Sequence, residues 1–284
     1  MRITRRNFLG ATPVLMAGVG LQPTDTLNVG QQKPEPSPPP TRQAHVERLY
    51  KAPDVHPNAL EAAPDGLWIA DQVSEKVFKV DWETGKVLYE LQTESHNTSG
   101  IAVGGGYLWL NANGGVSGRR PPRPTDKPFG EILQADLKTG KTIKAYNLPW
   151  RGSQGNAGIH GGVYVQETQT LWVAALYINA LAEMDPKDNL RIVRLIAIKG
   201  DRAHGLEWDN GAIWCLFAGD RLVQKLDANN GRVLEIIKLS PTSDPDPHGM
   251  CIHNGYMYYC DAGLTAPGPG SAPGMICRFK LGTT

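Results

Sequence analysis

The stretch from residue 45 to residue 284 contains a repeated pattern, which limits the possible folds more than any other feature of the chain. Each copy starts with a short apolar strand and continues, after a turn, into a second strand that carries an aromatic residue. The aromatic positions, which lie 41, 63, 42 and 44 residues apart, are Trp68, Trp109, Trp172, Trp214 and Tyr258. Spacings of about 40 to 50 residues are typical of propeller blades.

A second pair of strands follows each copy, so each repeat predicts four strands, a to d. Alternating apolar residues mark these strands, and turns rich in glycine and asparagine separate them. The fifth repeat stops after its strand c, whereas an unmatched strand, residues 44–52, precedes the first repeat. We expect this strand to supply strand d of the last blade and to close the ring. The sequence therefore predicts an all-β fold, a five-bladed β-propeller, with six blades as the alternative.

Composition excludes several functional classes. Lysine and arginine total 29 residues, aspartate and glutamate total 28, and the net charge is +1. This balance gives no support for a nucleic-acid partner. No apolar run reaches the roughly 18 residues that a membrane-spanning helix needs. We expect a monomer that acts on a small molecule.

The first residues predict export. Residues 4–10, TRRNFLG, precede a mild apolar run and resemble a twin-arginine export signal. A proline-rich segment follows, which favours an extended spacer. We predict an export signal at 1–30, a linker at 31–44 and the propeller at 45–284, in a periplasmic or secreted protein.

Five equivalent residues begin the five copies of strand a. They lie ten residues before the aromatic marker, or twelve in the third copy, whose turn is two residues longer: Asn58, Ser99, His160, His204 and His248. Strand a is the innermost strand of a blade, so we expect these side chains to meet at one mouth of the central channel. Neutral imidazoles bind zinc or iron, and three can leave a coordination position open. The pattern predicts a divalent metal on the three histidines, or alternatively a water-filled structural channel.

Other residues on the same face complete the predicted site. Asn58 and Ser99 are candidates for holding a substrate oxygen. Two arginines on loops are candidates for binding an anionic group of the substrate: Arg119 and Arg151. The candidates for catalysis are Tyr177, Arg202 and Asp261.

Two further pairs are notable. Glu61 and Glu207 occupy equivalent positions three residues beyond the channel residue, so we expect them lower in the channel. Cys260 and Cys277 stand in neighbouring strands of the fifth blade, where a disulfide is possible in an exported protein. Buried free thiols are the expected state.

The repeat resembles the streptogramin B lyase family and its relatives among gluconolactonase-like and YVTN-type propellers. The resemblance lies in the His-Gly starts of three strands, the tryptophans of strand b and the Asp-x-x-Thr/Asn-Gly turns. It implies a lyase in which a metal and a base assist elimination across a C–O bond. Peptidyl-hydroxyglycine amidating lyase, another propeller family, has a three-histidine metal site, which agrees with the histidines found here.

Besides a redox enzyme that uses iron on the histidines, two other functions stay open at this point. One is a non-catalytic periplasmic propeller that binds a ligand or a protein, as YVTN-type chains are supposed to do. The other is a lactone hydrolase like the gluconolactonase-like enzymes. Those enzymes hold their metal mainly with carboxylate and amide oxygens, and three histidines depart from that pattern.

Overall fold

The computed structural model describes residues 37–115, 120–124, 126–150, 158–262 and 274–282. The chain divides into two units, Met1–Pro38 and Pro39–Thr284, and all the described strands belong to the second. The predicted export signal at 1–30 lies outside the described residues. Within the described part of the chain, no helix is long and apolar enough to span a membrane.

The described strands form five antiparallel blades, so the predicted five-bladed β-propeller is confirmed and the six-bladed alternative is wrong. Blade 1 contains β3 (Pro57–Ala63), β4 (Gly66–Asp71), β5 (Lys76–Val80) and β6 (Val87–Gln92). Blade 2 contains β7 (Thr98–Gly104), β8 (Tyr107–Ala112), β9 (Glu131–Asp136) and β10 (Thr142–Asn147). Blade 3 contains β11 (Ile159–Val165), β12 (Thr170–Ala175), β13 (Ala180–Asp185) and β14 (Arg191–Ala197).

Blades 4 and 5 complete the ring. Blade 4 contains β15 (Ala203–Asp209), β16 (Ala212–Phe217), β17 (Leu222–Asp227) and β18 (Val233–Lys238). Blade 5 contains β19 (Pro247–His253), β20 (Tyr256–Asp261), β21 (Met275–Lys280) and β2 (Glu47–Lys51). The described residues also include two single-turn 3-10 helices in connections of blade 3, η1 (Leu176–Ile178) and η2 (Pro186–Asp188).

The N-terminal segment closes the ring as predicted. Strand β2 pairs antiparallel with β21, and Lys51 lies opposite Met275. A short strand before it, β1 (Thr41–Gln43), adds in parallel to β18 at the outer edge of blade 4. These three residues lie in the segment predicted as an unpacked linker. They are extended, but their backbone is hydrogen-bonded, because the edge of β18 offers free backbone groups.

The inner strands β3, β7, β11, β15 and β19 contact one another around the axis. Each begins with a β-bulge that includes the channel residue. Such a bulge redirects a side chain. The glycine after each histidine lets neighbouring backbones touch, since a Cβ on Gly205 would lie 2.6 Å from the Met250 nitrogen. The His-Gly pairs therefore have a packing cause as well as a chemical one.

Apolar residues of adjacent blades pack against each other to form the core. Trp109 of blade 2, for example, lies in one buried cluster with Leu171 and Val173 of blade 3. The tryptophans of strand b are buried at these interfaces. This explains the aromatic marker of each repeat as a core residue rather than a ligand contact.

The four cysteines are buried and carry free thiols, as expected. Cys260 lies opposite Ile276, whereas Cys277 lies opposite Tyr259. Because successive residues of a strand point to opposite faces, the two thiols face different sides of the blade. The alternative of a disulfide between Cys260 and Cys277 is therefore wrong.

Candidate functional site

The structure brings the three channel histidines together. The ring centroids of His160 and His204 lie 4.3 Å apart, and those of His204 and His248 lie 4.8 Å apart. All three side chains are buried, with at most 9% of the residue exposed. Imidazoles from three consecutive blades thus share one end of the channel.

The hydrogen bonds of His248 define its tautomer. Arg202 donates from Nη2 to Nε2 of His248 over 2.9 Å. A guanidinium has no acceptor, so Nε2 carries the lone pair and Nδ1 carries the proton. That Nδ1 faces the backbone carbonyl of Asp246 at 3.4 Å. His248 is therefore held between a cation and a carbonyl.

A neighbouring amide orients His160 in a similar way. The side-chain oxygen of Asn113 accepts a hydrogen bond from the Ile159 backbone N–H at 3.0 Å. Its Nδ2 therefore faces Nε2 of His160, at 3.2 Å. The Nδ1 atoms of His160 and His204 are buried and have no hydrogen-bond partner in the described part of the chain. A buried polar atom without a partner costs free energy, and an unrecorded ligand is one explanation for it.

The imidazoles of this cluster are neutral at pH 7. Burial and the nearby Arg202 lower the pKa of His160 to about 3. Burial also lowers the pKa values of His204 and His248, and the positive charge of Arg202 acts in the same direction. Neutral rings keep a lone pair for a metal or a hydrogen-bond donor.

The chemistry of the three rings suits a metal ion, but the rings are not arranged to hold one. Neutral imidazoles are ligands that zinc and iron accept, and Nδ1 of His204 is buried without a hydrogen-bond partner in the described part of the chain. However, the described residues contain no set of three side chains already arranged to hold one ion. In addition, the lone pairs of His248 and His160 already accept hydrogen bonds from Arg202 and from the Asn113 amide. Metal binding therefore requires the rings to turn and Arg202 to move.

The predicted substrate-binding residues are used for contacts between blades. Asn58 donates to the Thr98 carbonyl at 2.9 Å and to the Ser99 hydroxyl at 3.2 Å. Ser99 in turn donates to the Asn97 carbonyl at 3.3 Å. Both residues lie at the channel mouth, but their polar atoms already form hydrogen bonds with other groups of the protein. Arg119 and Arg151, the other two candidates, lie outside the described residues.

The three predicted catalytic residues have different surroundings. Arg202 contacts the histidine cluster directly. Asp261 ends β20 opposite Pro247, the residue before His248, and is partly buried. Tyr177 lies in η1 and is 62% exposed. No described contact brings Tyr177 to the imidazoles.

Sequence reasoning missed two amides at the mouth. Gln72 and Asn113 are the first residues after strand b in blades 1 and 2, and each reaches the next blade. Gln72 donates to the Asn97 side chain at 2.5 Å, and Asn113 contacts His160. Their equivalence within the repeat is the signal that could have revealed them.

A buried ion-pair network lies beside these amide side chains. The carboxylate of Glu75 is fully buried and accepts a hydrogen bond from the Asn97 backbone N–H at 2.5 Å. Arg120, from the long loop of blade 2, lies 3.3 Å from Glu75 and 2.5 Å from Asp126. Each of these groups has a charged partner, so the network anchors the loop and does not offer a free ligand.

A second polar layer lies deeper in the channel, as expected for Glu61 and Glu207. Glu207 accepts hydrogen bonds from the backbone N–H groups of Ile252 at 3.1 Å and Trp208 at 3.0 Å. Burial raises its pKa to about 7. Burial and the nearby Glu207 raise the pKa of Glu61 well above its ordinary value.

The space between the two polar layers is closed. A gap lined by small and apolar residues, among them Ala59, Gly161, Gly205 and Gly249, is too narrow for a water molecule. The three imidazoles therefore do not communicate with the glutamate pair through water.

No family model and no curated protein sequence matches this chain. Solved structures are similar in fold. The glutaminyl cyclase of Myxococcus xanthus matches with a TM-score of 0.60 and 14% identity, over 86% of this chain and 100% of the cyclase. A luciferin-regenerating enzyme matches with a TM-score of 0.50 and 12% identity, over 84% of this chain and 95% of that chain.

A streptogramin B lyase structure also matches, with a TM-score of 0.48 and 16% identity, over 84% of this chain and 88% of the lyase. The glutaminyl cyclase, a β-propeller, thus accompanies the resemblance inferred from the repeats as a structural neighbour. At these identities the likeness concerns the fold alone, because one propeller scaffold supports many reactions.

Proposed function

We propose that the protein is an exported, metal-dependent lyase that acts on a small molecule at the mouth of the channel, where the three histidines lie. The observation that carries the proposal is the cluster of three buried, neutral imidazoles with ring centroids 4.3 and 4.8 Å apart. Three neutral rings from three blades provide several lone pairs within a small volume that the protein shields from bulk water. Such a set is expensive to bury unless a ligand uses it.

In this proposal His160, His204 and His248 hold a divalent ion, with zinc or iron favoured by imidazole ligands. The bound ion supplies a Lewis acid that polarises a substrate oxygen. The Asp246 carbonyl orients His248 through Nδ1, whereas the Asn113 amide, which donates to Nε2 of His160, has to release that lone pair for the ring to bind the ion. Orientation of this kind keeps a ligand in one tautomer.

Other residues of the chain carry the remaining steps. The Asp261 carboxylate is the favoured base because it lies beside the start of β19, whereas Tyr177 is exposed on η1. The base takes a proton from the carbon next to the C–O bond, the C–H electron pair forms a double bond, and the oxygen leaves with the C–O electron pair. The closed glycine layer excludes water from beneath the site.

Metal analysis of the purified, full-length protein tests the ligand set. We expect one zinc or iron per chain in the wild type and loss of the metal in His204→Ala, because that ring is central in the cluster. His45→Ala is the matched control, since His45 is exposed and lies outside the site. Equal metal content in the wild type and in His204→Ala would contradict the proposal.

The reaction class needs a separate assay with cyclic esters and lactones. Elimination opens a cyclic ester without changing its mass, whereas hydrolysis adds one water. Mass spectrometry of the products therefore distinguishes a lyase from a lactone hydrolase. We expect products of unchanged mass from the wild type and none from His204→Ala.

One observation favours a second candidate, a non-catalytic propeller that binds a ligand. The contacts of Arg202 with His248 and of Asn113 with His160 already use two of the three lone pairs. A binding propeller predicts metal-free protein and no turnover, with a ligand held by Arg202 and the polar mouth. The metal analysis separates the two candidates.

A further inference from the structure

Arg202 stands in a backbone position that does not favour arginine. It lies two residues before the channel residue of blade 4, with a φ of 56°. The equivalent residues of blades 2 and 3 are Asn97, with a φ of 58°, and Gly158, with a φ of 57°. Asparagine and glycine tolerate this left-handed conformation, whereas arginine pays a steric cost there. Among the three blades that are left-handed at this position, blade 4 is the one that carries arginine.

The conformation of Arg202 is fixed by its neighbours. Its carbonyl accepts a hydrogen bond from the Ala218 backbone N–H at 3.0 Å. The preceding Asp201 backbone N–H donates to the Asp220 carboxylate at 2.7 Å. The strained residue is therefore held in place, with its guanidinium on Nε2 of His248. Backbone strain that the surrounding structure maintains is a common feature of functional positions.

Arg202 is an exposed residue, and its charge has no counter-ion in the described part of the chain. Its hydrogen bond there is to a neutral imidazole. The internal segments outside the description, residues 116–119, 125, 151–157 and 263–273, contain no aspartate or glutamate. They cannot supply a side-chain carboxylate.

Arg221 provides the contrast within the same blade. It too has a left-handed backbone, with a φ of 54°. However, it pairs with Asp246 at 2.7 Å and donates to the carbonyl oxygens of Ser240, Asp244 and Pro245. Arg221 thus has a structural role, with a carboxylate and three carbonyl groups as partners. Arg202 has no such set of partners in the described part of the chain.

We propose that Arg202 binds an oxyanion of the ligand, a carboxylate or phosphate, and that it competes with the metal for the lone pair of His248. The second part rests on the proposed function. One lone pair serves either the guanidinium or an ion, so metal binding releases Arg202. The released guanidinium then faces the mouth, where a bidentate oxyanion is a stronger partner than a neutral imidazole.

Zinc binding tests the competition. Arg202→Asn is the informative variant, because asparagine is the native residue at the equivalent position of blade 2. We expect calorimetric titration of metal-free protein with Zn²⁺ to show affinity about tenfold higher in Arg202→Asn than in the wild type, since a competing charged hydrogen bond is gone. Equal or weaker zinc binding by the variant overturns the competition.

Anion binding is tested on the metal-free protein with acetate and with inorganic phosphate, at constant ionic strength. We expect one of these anions to raise the thermal midpoint of the wild type and to leave that of Arg202→Asn unchanged. A response to acetate indicates a carboxylate ligand, and a response to phosphate indicates a phosphate ligand. Equal responses of both proteins, or none in the wild type, overturn the oxyanion role.

Stability distinguishes this role from a structural one. Arg202→Asn should keep or raise the thermal midpoint, whereas Arg221→Asn should lower it. A similar fall in both variants overturns the proposal. If neither protein binds zinc, the competition fails together with the metal-dependent function, while the anion titration still decides the role of Arg202.

Discussion

Among single residues, the glycine after each channel histidine matters as much as the imidazole itself. The inner strands approach so closely that a side chain at this position meets the backbone of the next blade. The bulge at the same place turns the imidazole toward the axis. Chemistry and packing thus constrain two adjacent residues.

Gly205→Ala tests this constraint. The new Cβ would lie 2.6 Å from the backbone nitrogen of Met250, and a backbone atom cannot turn away as a flexible side chain can. We expect the free energy of unfolding to fall by about 1 to 3 kcal/mol, the usual range for overpacking. Denaturant titration measures it.

Gly282→Ala is the control, because a Cβ there has open space. It should leave the free energy of unfolding nearly unchanged. If Gly205→Ala is as stable as this control, the close approach of the inner strands is not what requires glycine.

At the scale of the strands, two sets of equivalent positions in the inner strands carry two layers of polar groups. The second residues of β11, β15 and β19 are the histidines at the mouth, and three residues deeper β3 and β15 bring Glu61 and Glu207 into the channel. Each glutamate accepts a backbone N–H from the inner strand of the following blade, that of Val103 or Ile252. These carboxyl groups therefore link neighbouring blades.

The pH dependence of stability tests the glutamate pair. Glu207 has a pKa of about 7 in the folded protein, above its ordinary value of 4.5, because burial disfavours its charge. Between these values the folded protein binds more protons than the unfolded chain, so this contribution to stability decreases as pH rises from 4.5 to 7. We expect the difference in unfolding free energy between the wild type and Glu207→Gln to decrease over that interval.

Subtraction of the variant is necessary because the buried histidines act in the opposite direction. Their lowered pKa values make stability increase as pH rises toward 6.5. Glu167→Gln, an exposed site in a turn, serves as control and should show no such trend. A constant difference for Glu207→Gln would mean that its carboxyl group is ionised throughout.

The whole molecule depends on a strand from the other end of the chain. β2 completes blade 5 and covers the edge of β21, whereas β1 only adds to an outer edge of blade 4. A propeller without its closing strand exposes an edge and part of the core between blades. The two N-terminal strands should therefore contribute very differently to stability.

Two truncations make the comparison. Removal of residues 1–43, which includes β1, should leave a cooperative thermal transition. Removal of residues 1–53, which also includes β2, should abolish that transition or produce aggregates. Circular dichroism and size-exclusion chromatography measure the outcome, and two equally stable truncations would show that β2 does not close the ring.

The sequence alone predicted the blades, the closing strand and the shared register of the channel residues, and it favoured five blades over six. It could do so because alternation, turn residues and repeat spacing are local properties that each blade repeats. It did not reveal that Asn58 and Ser99 bond mainly to neighbouring blades, nor that Asn113 orients His160.

Only the tertiary structure decided which groups share the site. Arg202 and His248 are 46 residues apart in the chain, and Asn113 and His160 are 47 apart, so no local pattern relates them. The closed glycine layer and the contact of Arg202 with a neutral ring depend on backbones from different blades meeting at one axis. Ring closure creates those contacts, because it brings residues that are distant in sequence within hydrogen-bonding distance.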